Sequence, residues 1–157
     1  MNSLELFLLG RKLAKIGEDS MPKTGLTNMP TSMKLVLFDV FDHPDSTISE
    51  ITARTGLLQS QVSSAVARFR EAGAFETRRD PHDKRRTLVK GRREVARRGA
   101  EMHYEPVEDI IAREADSKNA EDLTQLTSCL ENLASRLIPN ALTWIRMRGV
   151  GDGPAPA

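Results

Sequence analysis

One cysteine, one tryptophan and one tyrosine stand among 157 residues, and aromatic side chains make up only 4% of the chain. A lone Cys129 excludes an intramolecular disulfide and a cysteine-built zinc cage. The three histidines, His43, His82 and His103, are widely separated and show no ligand spacing, so neither a metal site nor a cofactor is expected. Long apolar runs are missing as well. The longest near the N-terminus is Leu6-Phe7-Leu8-Leu9, far short of the roughly 18 residues a membrane span needs. No basic stretch followed by an apolar core opens the chain, so a secretory signal is not expected. The expectation is a soluble, cytoplasmic protein without a membrane partner. The sequence also lacks a glycine-rich phosphate loop, a nucleophile elbow and paired carboxylates on a helix face. Catalysis therefore has no candidate residues, and an enzyme is not expected.

What is present is an uneven distribution of charge. The total is +1, from 23 basic and 22 acidic side chains. Residues 1–67 carry net −1 and residues 99–157 net −5, whereas residues 68–98 carry net +7. Ten of the twelve cations in that central block are Arg, whose planar guanidinium suits bidentate contacts to phosphate and base edges. Too few carboxylates lie nearby to make the block an ion-paired helix face, so a polyanionic partner is the stronger reading. Apolar residues make up 39% of the chain, enough for a core at a length that suits one domain.

Local patterns divide the chain. Leu4, Phe7, Leu8, Leu13 and Ile16 follow a helical period over residues 3–18. Pro22, Gly25, Asn28 and Pro30 mark a loop, after which Thr31 or Ser32 is expected to cap a helix ending before His43-Pro44. Thr47-Ile48-Ser49-Glu50 is a capping-box pattern, and its helix stops at Gly56. A further helix runs from Gln59 to Ala72 and closes on Gly73. Residues 75–79 and 87–90 read as two strands joined by the turn chemistry of Asp80-Pro81-His82-Asp83. From Arg92 a helix is expected to reach Asp116, with Pro106 kinking or restarting it. Leu123, Leu126, Leu130, Leu133 and Leu137 repeat at the seam spacing of a packed helix pair, and Trp144 and Ile145 extend the apolar content beyond Pro139. The Gly/Pro/Ala tail 149–157 is expected to be flexible.

Residues 47–73 have the character of a helix-turn-helix. Val62, Val66 and Phe69 form the inward stripe of its second helix. The other side presents Gln59, Ser60, Gln61, Ser63, Ser64 and Arg68. Amides and hydroxyls at an exposed helix N-terminus can reach base edges in a major groove, and the helix dipole favours phosphate. The hairpin that follows at once carries Lys84, Arg85 and Arg86 beside its tip, which makes a cationic wing. The fold class expected is mainly α with a small β-hairpin wing. Residues 31–91 form the winged lobe, residues 1–20 and 92–148 a helical region, and residues 149–157 a tail.

Gln59-Ser60-Gln61-Val62-Ser63 through Arg68-Phe69-Arg70-Glu71-Ala72-Gly73, followed by Asp80-Pro81-His82-Asp83-Lys84-Arg85-Arg86, resembles the MarR (multiple-antibiotic-resistance regulator) family. The family's wing commonly reads D-P-x-D-R-R, and this one reads D-P-H-D-K-R; the resemblance covers about 40 of the 157 residues. Three positions depart from the family. Leu58 stands where Ser or Thr usually caps the recognition helix, Thr52 replaces a usual Ala, and Gly91-Arg92 replaces the Leu-Thr pair after the wing. The resemblance implies a homodimer binding double-stranded DNA at a pseudo-palindromic operator as a transcription regulator, a repressor, with a small-molecule effector between lobes and dimer region. Met33, Phe38 and Phe41 are the expected apolar walls of that effector cleft, with plain core as their other role. Leu4, Phe7 and Leu8 of the first helix and Leu126, Leu130, Leu133 and Leu137 of the last are expected at the dimer interface, because they exceed what a winged lobe needs for its own core. Asp80 and Asp83 are expected to support the wing, with Arg85 the cation held by one of them, and Cys129 to be a buried structural thiol. A second reading stays open: a winged-helix module for protein–protein assembly whose basic block meets an acidic partner.

Overall fold

A computed structural model describes residues 1–23, 25–26, 28–115, 119–139 and 141–142. Along the chain come α1 (Ser3–Asp19), α2 (Thr31–Asp42), α3 (Ile48–Thr55), α4 (Gln59–Glu71), β1 (Phe75–Arg79), β2 (Thr87–Gly91), α5 (Arg93–Ala100), α6 (Val107–Glu114) and α7 (Ala120–Leu137). The fold is mostly helical with one antiparallel hairpin, as expected. The expected tail 149–157 and the apolar pair Trp144 and Ile145 lie outside the described residues. Two compact units result: a helical unit of residues 1–28 and 103–139, and a winged lobe that includes residues 29–102.

In the lobe, α2, α3 and α4 pack on one another and close over the hairpin. Val36, Leu37 and Val40 of α2, Ile51 of α3, and Val62, Ala65, Val66 and Phe69 of α4 are buried together with Phe75, Leu88 and Val89 of the hairpin. Phe75 is the centre of this core. Its ring lies 4.8 Å from that of Phe69 and 6.1 Å, edge-on, from that of Phe41. Such aromatic pairs add about 0.5–1.5 kcal/mol each beyond the area they bury.

Capping rules account for the helix ends. Thr47 Oγ1 accepts from Glu50 N–H at 3.3 Å while Glu50 Oε2 accepts from Thr47 N–H at 2.7 Å, so both halves of the capping box are closed. Gly56 ends α3 at φ +69°, a left-handed conformation that costs glycine nothing. At α2 the expectation fails. Pro30 is the N-cap, its carbonyl accepting from Met33 and Lys34 N–H, and Thr31 and Ser32 lie inside the helix. Proline has no N–H to leave unsatisfied and its extended ψ of 143° sets the first turn.

The hairpin pairs Phe75 with Gly91 through Arg79 with Thr87. It also gains a third partner that the sequence reading did not anticipate. Ser46 and Val89 exchange both backbone hydrogen bonds, at 3.2 and 2.8 Å, tying the base of the wing to the α2–α3 connection.

Beyond the hairpin the expected helix 92–116 is two helices, α5 and α6, separated by residues 101–106. The break comes before the proline. Glu101 and Met102 N–H turn back to the carbonyls of Arg97, Arg98 and Gly99, which tightens and ends α5. Pro106 then serves as the N-cap of α6. In the helical unit α6 packs on α7, and Ile111 is buried. Helices α1 and α7 have no buried residue at all. Cys129 is exposed, contrary to expectation; it sits one residue off the half-buried stripe of Leu123, Thr127, Leu130 and Ala134.

Candidate nucleic-acid interface

Helix α4 is sharply two-sided. Val62, Ala65, Val66 and Phe69 are buried, and Gln59, Ser60, Gln61, Ser63, Ser64 and Arg68 are all exposed. Among the described residues the side chains of Gln59, Ser60, Ser63, Ser64 and Arg68 have no hydrogen-bond or ion-pair partner, so their donors and acceptors are open to a ligand. Gln61 differs. Leu58, the N-cap, has no side-chain acceptor, and Gln61 Oε1 accepts the Leu58 N–H at 3.1 Å. Gln61 thus supplies half of a capping box from inside the helix, and its amide NH₂ stays available. Beside this face a shallow groove of about 290 Å³ is lined by Ser32 and Met33 of α2 and by Ser60, Gln61, Ser64 and Arg68 of α4.

The wing is built by its two aspartates. Asp80 Oδ1 accepts from His82 N–H at 2.8 Å and Asp83 N–H at 3.4 Å, and Asp83 Oδ1 accepts from Arg85 N–H at 2.9 Å. Such side-chain-to-backbone bonds form the turn itself. The hydrogen bond from His82 N–H holds the Asp80 carboxyl below its ordinary range, with Asp83 N–H and the Arg86 charge adding to the effect. Arg79 donates to the Lys84 carbonyl at 2.8 Å, and Arg78 pairs with Asp45 at 3.1 Å.

Among the three expected wing cations, Lys84 and Arg85 have no carboxylate partner among the described residues. Arg86 has two: Nη2 donates to Glu50 Oε1 at 2.7 Å, and Nε lies 4.0 Å from Asp80 Oδ2. The cation held by an aspartate is therefore Arg86 and not Arg85. Glu50 is held below its ordinary range first by the Thr47 N–H and Oγ1 and then by Arg86.

A second ion pair fixes the scaffold. Arg54 of α3 grips Asp39 of α2 with two parallel bonds of 2.8 Å and also donates to Ser46 Oγ at 2.7 Å. Ser46 Oγ in turn donates to the His43 carbonyl at 2.7 Å. One guanidinium so joins α2, α3 and Ser46, the residue of their connection that pairs with Val89. Asp39, Glu50 and Arg54 were not singled out from sequence for these roles; Glu50 was legible only as a helix cap.

The expected effector walls are all half-buried. Phe41 is committed to the lobe's own core against Phe75, and Met33 lines the groove beside α4. Among the described residues no group of three or more His, Cys, Asp or Glu side chains could hold a metal ion, and no helix is long and apolar enough to cross a membrane.

Residues 34–86, from within α2 to the turn of the wing and short of β2, match the model of the MarR family. No curated protein matches the sequence. Among solved structures, apo wild-type MarR from E. coli superposes with a TM-score of 0.64 at 16% identity, over 85% of this chain and 97% of that one. Streptococcus pneumoniae FabT in complex with DNA gives 0.53 at 14% identity, over 85% and 92%. A MarR-like transcriptional regulator from Thermotoga maritima gives 0.56 at 18% identity, over 87% and 97%. These likenesses are of fold, and the family match falls on the segment that carries α4 and most of the wing. The chain has the winged helix-turn-helix fold of these structures, and its residues 34–86 are similar to the MarR family.

Proposed function

We propose that the protein is a sequence-specific double-stranded-DNA-binding transcription regulator that acts as a homodimer on a pseudo-palindromic operator, as a repressor. The observation that carries this reading is the open polar face of α4 beside a wing whose Lys84 and Arg85 have no carboxylate partner among the described residues. Helix α4 would enter a major groove, with Ser60, Ser63, Ser64 and the Gln61 amide at base edges and Arg68 at phosphate or guanine. Lys84 and Arg85 would take the adjacent backbone or minor groove, where narrow negative tracts attract guanidinium.

The uncovered apolar side chains of the helical unit support the homodimer. Leu4, Phe7 and Leu8 of α1 and Leu126, Leu133 and Leu137 of α7 are all more than two-fifths exposed. Helices with no buried residue gain little from their own fold, and a second copy would bury these faces. A small-molecule effector, implied by the family resemblance, would act through unequal affinity for two spacings of the lobes.

Enrichment of duplexes from a random pool, followed by salt titration, tests the reading. An inverted repeat with half-sites about one helical turn (roughly 10 bp) apart is expected. Affinity should fall by about 10³ or more between 50 and 200 mM salt if six or more phosphates are contacted. No enriched motif, or binding indifferent to salt, overturns it and leaves protein–protein assembly as the use of the basic block.

A further inference from the structure

Besides the shared apolar core, three polar contacts among the described residues join the wing to the helices, one of them the Arg78–Asp45 pair at 3.1 Å. At its base, Ser46 and Val89 exchange backbone hydrogen bonds. Near its tip the connection is a single side chain. Arg86 reaches from the start of β2 to Glu50, thirty-six residues earlier in the chain. Glu50 is not a free surface carboxylate. One of its oxygens, Oε2, already accepts the Thr47 N–H at 2.7 Å and closes the cap of α3. The other, Oε1, takes Arg86 Nη2 at 2.7 Å. The far side of the same guanidinium lies 4.0 Å from Asp80, the residue whose other oxygen forms the wing turn. The backbone of Arg86 belongs to that turn too: its carbonyl accepts from Asp80 N–H at 3.0 Å, and its N–H donates to the Asp83 carbonyl at 2.9 Å. One residue thereby bridges the cap of α3 and the turn of the wing.

Resting on the DNA-binding reading above, we propose that Arg86, through Glu50, is the positioning residue that sets the wing against α3, while its neighbours Arg85 and Lys84 supply the phosphate contacts. Physical reasons separate the neighbours. Arg86 has its charge offset by two carboxylates, so moving it onto a phosphate would release no net counterion advantage and would break a closed pair. Arg85 has only its backbone N–H engaged, by Asp83, and its guanidinium is uncommitted among the described residues. The pair is nearly half-exposed on both sides, at 46% and 45%. Its effect on global stability is therefore small, and what it provides is orientation: a hairpin fixed at base and tip loses less freedom when DNA binds.

The test uses the full-length protein, duplex DNA selected from a random pool and the variants Arg86→Gln, Glu50→Gln, their double and Arg85→Gln. Glutamine at position 50 keeps an acceptor for the Thr47 N–H, so α3 stays capped. Arg86→Gln is expected to weaken binding by up to about fivefold, the range of an exposed ion pair, with the slope of log affinity against log salt unchanged. Glu50→Gln should weaken binding by a similar factor, although it removes a negative charge near DNA, and the double variant should bind no worse than either single one. Arg85→Gln should lower the salt slope by about one. In the free protein, amide exchange at Asp80 and Arg86 should speed up in both single latch variants and leave Ile51 in the core unaffected. A salt slope that falls by about one in Arg86→Gln, with losses that add in the double, overturns the proposal and makes Arg86 a phosphate contact. A wild-type protein that selects no duplex overturns the DNA-binding reading instead. The latch is then decided by amide exchange alone, and unchanged wing exchange in Arg86→Gln refutes it.

Discussion

The ring of Phe41 fills the space that a β-carbon on Gly91 would need: three of its carbons lie closer than 3.0 Å to that position. Gly91 is the last residue of β2 and pairs with Phe75, whose ring meets Phe41 edge-on. The lack of a side chain at Gly91 is therefore what lets α2 pack so close to the hairpin.

Gly91→Ala should destabilise the lobe by about 1–3 kcal/mol, the usual cost of overpacking, because the neighbour is a rigid ring and not a flexible chain end. Urea denaturation measures it. Adding Phe41→Leu should recover part of the loss, and strictly additive effects would show that the two positions do not compete for space.

Thr52→Ala should stabilise the protein. The Thr52 hydroxyl is buried on α3 with no hydrogen-bond partner among the described residues. An unsatisfied buried hydroxyl costs about 1–3 kcal/mol, and alanine is also the better helix former. The methyl group lost offsets less than about 0.8 kcal/mol. A midpoint in urea that moves up is the expected result; a lower one would mean that the hydroxyl is hydrated.

Acid should loosen the wing before the core. Asp80 is held low chiefly by the His82 N–H, and Glu50 chiefly by the Thr47 N–H. For a carboxyl whose folded pKa is depressed, the stabilising contribution is present above the unfolded value and is lost as pH falls through the folded one. The loss thus begins near the ordinary carboxylate range of about 4 and continues below it. Measured against the intrinsic rate at each pH from 6 to 3, protection of the His82 and Asp83 amides should fall there in the wild type. In Asp80→Asn, whose amide oxygen still accepts both N–H groups but does not titrate, protection should persist and stay nearly flat with pH.

Gln61 should read bases through its NH₂ alone, because its oxygen is occupied by the Leu58 N–H. Gln61→Glu keeps that acceptor and places a charge favourable to the helix N-terminus, so thermal stability should hold. Operator discrimination should drop by about 1–3 kcal/mol at one base position. An unchanged preferred sequence would remove Gln61 from the reading face.

Phe7→Glu and Leu133→Glu, both on uncovered apolar faces, should shift the protein toward monomer in sedimentation at micromolar concentration. Leu130 is the poorer probe, being half-buried within its own unit. Variants that sediment as dimers would place the contact elsewhere.

The sequence by itself determined what depends on neighbours within about four positions. The Thr47/Glu50 capping box, the left-handed Gly56, the Asp80 turn and the two-sided face of α4 all follow from such local rules, and each has the form expected. The end of α5 ahead of Pro106 was less legible, since a run of helix-compatible residues from Arg92 onward hides where the turn tightens. Tertiary structure alone decided the pairings between distant segments: Ser46 with Val89, Arg54 with Asp39 and Ser46, Phe41 over Gly91, and Arg86 rather than Arg85 on a carboxylate. Lys84, Arg85 and Arg86 are consecutive cations with no difference in local pattern. Which of them is neutralised depends on where the cap of α3 lies in space once the lobe has closed, and the spacing of residues along the chain carries no record of that.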